Sequence, residues 1–303
     1  MRFQKLDLNL LVALDALLQE RSVSLAADRL HLSQSATSSA LGRLRDYFED
    51  ELLVLRGRQM VPTPRGEELI GPVRAVLDQI RSTIAVAQPF DPISSDRTMR
   101  IMASDYTVEV LLREALLEFA EEAPRMSFEI LPMVDDLVEE LQRGRADLLI
   151  TIDTAISTEH PFQTLYEDDF VAVGWSGNRA LPVTMTPELY QELGHVTVRF
   201  GWQRIPSFEE WALRSLSVHR RIEVVAPTFT SVASFLVGSQ RIATMHRRLA
   251  RRLASMMPLK LMEVPFHIPP IRQTAQWATS SAGDEAINWV ASRLSQIGHA
   301  PDF

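Results

Sequence analysis

The 303-residue chain contains no cysteine. Disulfides, thiolate metal sites and thiol nucleophiles are therefore excluded, and a reducing compartment is the compatible one, so a cytoplasmic location is expected. No apolar run approaches the ~20 uninterrupted residues that a membrane-spanning helix needs, and no membrane association is expected. The stretch from Met1 to Arg21 is rich in leucine, but Asp7, Asn9 and Asp15 interrupt it and no small-residue cleavage site follows, so it does not read as a signal peptide. Also missing are the phosphate-cradling G-x-x-x-x-G-K, the dinucleotide G-x-G-x-x-G and the nucleophile elbow G-x-S-x-G. The seven histidines lie far apart and form no close ligand pair. No catalytic residue, metal site or cofactor is assigned on these grounds, and an enzyme is the disfavoured class.

Positive charge is scarce as well: the net charge is −8. The acidity is uneven, because residues 1 to 66 hold nine Lys/Arg against eight Asp/Glu while the remainder holds 22 against 31. Any attraction to nucleic-acid phosphate must then come from where a few arginines sit. With 46% hydrophobic and 23% charged residues the chain is otherwise an ordinary globular protein, long enough for about two domains.

What is present begins with Leu10, Leu11, Leu14, Leu17 and Leu18, a one-face helical pattern from about Asp7 to Arg21. Ser22 or Ser24 can cap a second, short helix whose Ala26, Ala27 and Leu30 allow close approach of a neighbour. Ser33 is placed to cap a third, from Gln34 to about Phe48. That third helix has two faces: Thr37, Leu41, Leu44 and Phe48 lie on one, and Ser35, Ser38, Ser39 and Gly42 on the other. Leu52 to Pro62, around the turn candidate Arg56-Gly57-Arg58, reads as a β-hairpin. From Arg65 to about Ala87 a stripe of Leu69, Val73, Val76 and Ile80, with Ile70, Leu77 and Ile84 offset by one, needs a helical partner. The partner is either this chain's own domain or a second copy, and the length of the stripe favours the second copy. Pro89 to Pro92 breaks the helix and Ser94-Ser95-Asp96 makes a hinge.

Beyond Arg97 strands and helices alternate, with strands expected at 100–103, 127–131, 148–152, 170–175, 196–200, 222–225, 242–245, 259–264 and 273–278. Helical stretches are expected at 108–122, 137–143, 208–217 and 230–237. This alternation implies α/β sheets flanked by helices.

The run Ala26-Ala27-Asp28-Arg29-Leu30-His31-Leu32-Ser33-Gln34-Ser35-Ala36 resembles the helix-turn-helix of LysR-type transcriptional regulators. Leu52-Leu53 through Arg58 to Pro62-Thr63-Pro64-Arg65-Gly66 resembles that family's wing and the start of its linker helix. Arg2-Phe3, Leu6 to Leu11, Tyr47-Phe48 and Val61 to Pro64 look more like the nodulation-regulator (NodD-like) branch, which also includes activators of aromatic catabolism. The resemblance implies a winged helix-turn-helix over 1–64, a linker helix and hinge over 65–96, and a two-lobed α/β effector domain of periplasmic-binding-protein type over 97–303. Lobe I would span about 97–165 and 268–303, and lobe II about 166–267. It also implies a homodimer or homotetramer on double-stranded promoter DNA, contact with RNA polymerase, and activation by a small-molecule effector, an aromatic one by branch. Two departures stand out: Ser35 and Ser39 occupy positions where the family often has Pro and Arg, and Leu55 a wing position that often carries Arg. A serine lacks the two-pronged fork that reads guanine, so the family's base preferences do not transfer unchanged.

A recognition helix of this kind presents its N-terminal end to the major groove, which selects Gln34, Ser35, Ser38 and Ser39 as base contacts. Ser33, Arg43, Arg56, Arg58 and Thr63 are assigned to phosphate, where they fix register without reading sequence. The plain alternative for each is a solvated surface residue. In two-lobed α/β domains ligands sit beyond the carboxyl ends of strands. That rule selects Ser104, Asp105 and Tyr106 after the first strand, then Asp153 after the third, then Phe200 to Trp202, and then Thr228 to Ser231, Thr230 among them, at a helix start whose free amides suit a phenolate or carboxylate oxygen. Phe200, Trp202, Phe266 and His267 would supply aromatic walls, or else lobe core. The basic run His246-Arg247-Arg248 with Arg251 and Arg252 reads as a solvated helix face before a contact for DNA or an anionic effector. A solute-binding protein is the remaining rival for the later two-thirds, and the N-terminal pattern argues against it.

Overall fold

In the computed structural model, which describes residues 7–57, 59–84, 90–201 and 203–300 apart from the side chains of 75, 78, 79 and 81–84, the Asp7 carboxylate accepts the Asn9 amide at 2.9 Å and starts helix α1 (Leu8–Glu20). The helix ends where Arg21 turns into the left-handed region. Its Leu10, Leu11, Leu14, Leu17 and Leu18 are all buried. Helix α2 (Val23–Leu30) is capped by Ser22, and its fully buried Ala26 and Ala27 let α1 and its successor approach. That successor, α3 (Gln34–Phe48), starts where Ser33 Oγ accepts the Ala36 amide at 3.2 Å. Strands β1 (Leu53–Arg56) and β2 (Gln59–Pro62) pair antiparallel with Leu53 opposite Pro62, and Gly57, at φ +66°, turns between them.

Helix α4 (Pro64–Ile84) follows at once. Its Leu69, Ile70, Val73 and Leu77 join the same core as the leucines of α1, so the first half of the apolar stripe is satisfied within the chain. Val76 on the same helix stays exposed. The close start of α4 depends on Gly66, where a Cβ would lie 2.3 Å from the Leu52 carbonyl oxygen. Arg58, Trp202 and the expected end of the linker helix at 85–87 lie outside the described residues.

The second unit holds two sheets. The first has the order β4-β3-β5-β13-β6, from β3 (Thr98–Ala103), β4 (Ser127–Leu131), β5 (Leu148–Ile152), β6 (Phe162–Asp168) and β13 (Ile271–Gln276). Strand β3 pairs parallel with β4 and β5, while β13 returns antiparallel between β5 and β6. The second sheet has the order β10-β8-β11-β7-β12, from β7 (Phe170–Trp175), β8 (Gly194–Phe200), β10 (Arg221–Ala226), β11 (Ile242–His246) and β12 (Leu259–Glu263), and the short β9 (Ile205–Pro206) pairs with β8. Around these pack α5 (Asp105–Thr107), α6 (Arg113–Glu122), α7 (Leu137–Gln142), α8 (Pro187–Glu192), α9 (Phe208–Ser215), α10 (Val232–Leu236), α11 (Arg247–Ala254) and α12 (Glu285–Gly298). The chain passes from the first sheet to the second at Asp169, so the expected lobe boundary near 165 falls inside β6.

Sequence periodicity does not disclose β6, because Leu165, Tyr166 and Asp168 are buried while Glu167 between them is not, and the earlier residues are mixed. Helix α8 is likewise missed: of its six residues only Tyr190 is buried, so no apolar stripe marks it. The single helix expected over 108–122 is interrupted by a π-helical turn, Val108–Leu112, between α5 and α6. Such turns are frequent next to functional sites.

Candidate functional site

Two candidate sites emerge, one in each unit. On α3 the apolar face Thr37, Leu41 and Leu44 is buried, while Gln34, Ser35, Ser38, Ser39, Gly42 and Arg43 are exposed. The four base-contact candidates therefore share one accessible helix end. Ser33 is the cap, its Oγ also lies 3.0 Å from Ser35 Oγ, and Thr37 Oγ1 donates back to the Ser33 carbonyl at 3.2 Å. Arg43 and Arg56 are exposed, and among the described residues neither forms an ion pair.

Thr63 is placed differently from the expectation. Its hydroxyl donates to Asp50 Oδ1 at 2.6 Å and accepts the Gly66 amide at 3.0 Å, so it caps α4 rather than standing free for a phosphate. The Asp50 carboxylate also takes the Leu52 amide at 2.7 Å. The Thr63 hydroxyl, then the Leu52 amide, hold Asp50 below the usual carboxylate range. Arg45 escaped the sequence reading: its Nε donates to the Glu51 carbonyl at 2.9 Å and its Nη2 to the Leu53 carbonyl at 2.8 Å, fastening the end of α3 to the wing.

In the second unit the carboxyl ends of the parallel strands bring most of the remaining candidates to one seam between the sheets. Ser104 caps α5 by accepting the Thr107 amide at 3.3 Å. Tyr106 is buried, and its hydroxyl donates to Asp168 Oδ2 at 2.8 Å. Its ring stacks on His246 at 4.0 Å and meets Phe229 at 6.0 Å. Phe229 in turn meets Phe200 at 5.3 Å and His246 at 4.8 Å. Asp105 reaches the amides of Phe229 and Thr230 at 3.2 and 2.7 Å, so the donors expected to face an effector's oxygen are occupied by the chain's own carboxylate. Asp153 is exposed in a short turn after β5. Phe266 packs edge-on against Tyr190 at 5.4 Å, while the Phe200–Phe229 pair is joined instead by Tyr106 and His246. His267 is exposed.

The electrostatics of this seam follow from burial. Asp168 accepts the amides of Asp169 and Arg248 as well as the Tyr106 hydroxyl, yet burial outweighs these bonds and pushes its carboxyl up to about 6. Burial holds the Tyr106 phenol far above its ordinary value. His246, whose Nδ1 has no partner among the described residues, is lowered by burial to about 3 and stays neutral. Of the basic run, Arg247 pairs with Asp169 and Glu263, Arg252 with Glu109, and Arg248 lies 4.7 Å over the Tyr166 ring. These cations serve internal contacts. Asp168 and Tyr166 are the seam residues that the sequence did not single out, and His246 entered only through the basic run. The rule about strand ends could have found His246, which closes β11.

Among the described residues no cluster of histidine and carboxylate side chains could hold a metal ion, and no helix is long and apolar enough to cross a membrane.

Comparison with known proteins places both units. Residues 8–67 match the family model described as bacterial regulatory helix-turn-helix protein, lysR family, and residues 94–297 match the LysR substrate binding domain. The chain is 44% identical over 296 residues to Nodulation protein D 1 of Rhizobium tropici, covering 98% of this chain and 96% of that one. It is 45% identical over 304 residues to Nodulation protein D 1 of Sinorhizobium fredii, covering 100% and 94%. The crystal structure of a probable transcriptional regulator from Pseudomonas aeruginosa superposes with a TM-score of 0.77 at 30% identity, covering 97% of this chain and 98% of that one.

Proposed function

From the premise that this chain belongs to the LysR family of bacterial regulatory helix-turn-helix proteins, we propose that it reads its operator with the exposed N-terminal end of α3 and answers to an effector held at the seam between its two sheets. The observation that carries this reading is the division of α3: a buried Thr37-Leu41-Leu44 face fixes the helix, and a bare Gln34-Ser35-Ser38-Ser39 face is left outward. Gln34 pairs two-pronged with adenine, and the serines contact base edges or thymine methyls. Arg43 and the wing arginines Arg56 and Arg58 grip phosphate, with the Ser33 cap region beside them. Thr63 supports this grip indirectly, by capping the helix that follows the wing.

The function is transcriptional control, with activation as the mode, and the likeness to nodulation protein D 1 supports a regulator of that branch. Operation on a bacterial promoter implies a cytoplasmic protein and a contact with RNA polymerase. Exposed Val76 on α4 supports pairing of linker helices in a dimer, two of which make a tetramer. For the effector, the rings of Tyr106, Phe200, Phe229 and His246 at the strand ends favour an aromatic molecule. Effector binding shifts the chain between two arrangements of the lobes, which it must bind unequally.

Protection footprinting on the DNA upstream of the neighbouring operon, with and without phenolic compounds, tests the whole reading. A protected region whose boundary moves with a phenolic compound is expected. No protection under any condition refutes the DNA reading, and calorimetric heat from aliphatic acids alone refutes the aromatic effector.

A further inference from the structure

Two acids one turn apart, Asp105 on α5 and Glu109 in the π turn after it, reach from the first sheet's lobe to the second's. Asp105 places Oδ1 3.2 Å from the Phe229 amide and Oδ2 2.7 Å from the Thr230 amide. Glu109 accepts Arg252 Nε at 2.7 Å. The turn that receives Asp105 is closed on itself: Thr228 Oγ1 donates to Ser231 Oγ at 2.9 Å, Ser231 Oγ donates to the Thr228 carbonyl at 2.8 Å, and the Ser231 amide donates to Thr228 Oγ1 at 3.3 Å. The hydroxyls of Thr228 and Ser231 are thereby engaged with each other and with the turn's own backbone, and the two successive amides of Phe229 and Thr230 are directed at one carboxylate. Two oxygens on two adjacent backbone N–H groups is the arrangement by which protein loops hold free anions.

We infer that Asp105 is an internal anion that determines effector specificity: it fills the donor pair of the crevice, clasps the lobes together, and bars carboxylate-bearing effectors from that pair. This rests on the reading of the seam as an effector site. A second carboxylate brought to the same amides would lie beside Asp105 and be repelled by it, and the pair has no further N–H to offer. An effector that enters with Asp105 in place is uncharged at that end. Removal of the Asp105 side chain leaves a hole of carboxylate size beside two unsatisfied donors, which a small free carboxylate fills and an isosteric neutral amide does not.

The absence of cysteine allows clean labelling. Spin labels at Glu121→Cys in the first lobe and Glu192→Cys in the second, in full-length protein diluted with unlabelled chain, report the distance between lobes. In Asp105→Gly this distribution is expected to broaden and lengthen, to return to the unsubstituted shape in ~50 mM acetate, and to stay broad in equal acetamide. By calorimetry Asp105→Gly binds acetate at least ~10-fold more tightly than the unsubstituted protein does. Should Asp105→Gly not fold, Asp105→Asn, nearly the same shape without the charge, is expected to broaden the distribution with no recovery in acetate. A distribution unchanged by either substitution, or acetate and acetamide acting alike, overturns the inference. Failure of the regulator reading appears elsewhere, as loss of promoter retention by the unsubstituted protein, which no acetate measurement touches.

Discussion

His246 sits among the rings of Tyr106, Phe170 and Phe229 with its Nδ1 unpartnered among the described residues, and burial lowers it to about 3. A histidine held neutral in this way contributes stability that is present above its ordinary value of 6.5 and is lost as pH falls toward 3. His195, lowered to about 4 mainly by burial, acts in the same sense. Asp168 acts oppositely: raised from 3.8 to about 6, it contributes stability that is full below 3.8 and lost as pH rises through 6. The two histidines are displaced further in total, so the urea midpoint is expected to drop between pH 6.5 and pH 4. His246→Phe keeps the ring packing and removes the titrating group, and the drop is expected to become shallower. An identical slope in the variant would contradict this assignment. Gly66 is a second residue with a definite consequence. A methyl there meets the Leu52 carbonyl, a backbone atom that cannot step aside, so Gly66→Ala is expected to cost ~1–3 kcal/mol in urea unfolding.

Whole elements differ in how far they can be read from residues. The three helices of the first unit are legible because each begins at a side-chain cap and repeats on one face, so that α3 starts and ends at Gln34 and Phe48 as the spacing requires, and the wing is legible from the glycine turn between its strands. Strand β6 is not legible, since its burial follows from lying at the edge beside β13 and not from alternation in its own residues. The clasp of Asp105 on the Phe229–Thr230 turn is hidden for another reason: its partners are 124 and 125 residues apart, and nothing local marks the pairing. Helix α9 shows the same limit. Its Glu209 is buried against Arg220 at 3.0 Å and takes hydrogen bonds from Ser207 and Thr197, while Glu210 takes Arg199 at 2.8 Å and Arg214. Burial raises Glu209 despite these partners. Arg220→Ala strands that carboxylate and is expected to cost ~3–5 kcal/mol, whereas the double substitution Glu209→Gln with Arg220→Met costs much less. Equal losses in the two variants would show that packing, and not charge, fixes α9.

The molecule as a whole joins an almost neutral DNA-reading unit to an acidic effector unit, and the contrast has a physical consequence. With nine basic residues against eight acidic ones in residues 1 to 66, attraction to DNA is a matter of placement, since Arg43 and Arg56 are exposed while Arg45 and Arg29 are engaged internally. A dimer that neutralises ~6 phosphates loses affinity with salt at a log-log slope of about −5. A slope near zero in filter binding between low and physiological salt would refute phosphate anchoring by these arginines.

The most direct test of sequence reading by α3 is fluorescence anisotropy of the promoter fragment and of a scrambled fragment with Gln34→Ala and with Ser38→Ala, each at one salt concentration. Loss of the two-pronged adenine contact is expected to weaken promoter binding by Gln34→Ala about 10-fold or more, with Ser38→Ala weaker in effect and scrambled DNA bound as before. Undiminished promoter affinity and unchanged discrimination in both variants would contradict the account.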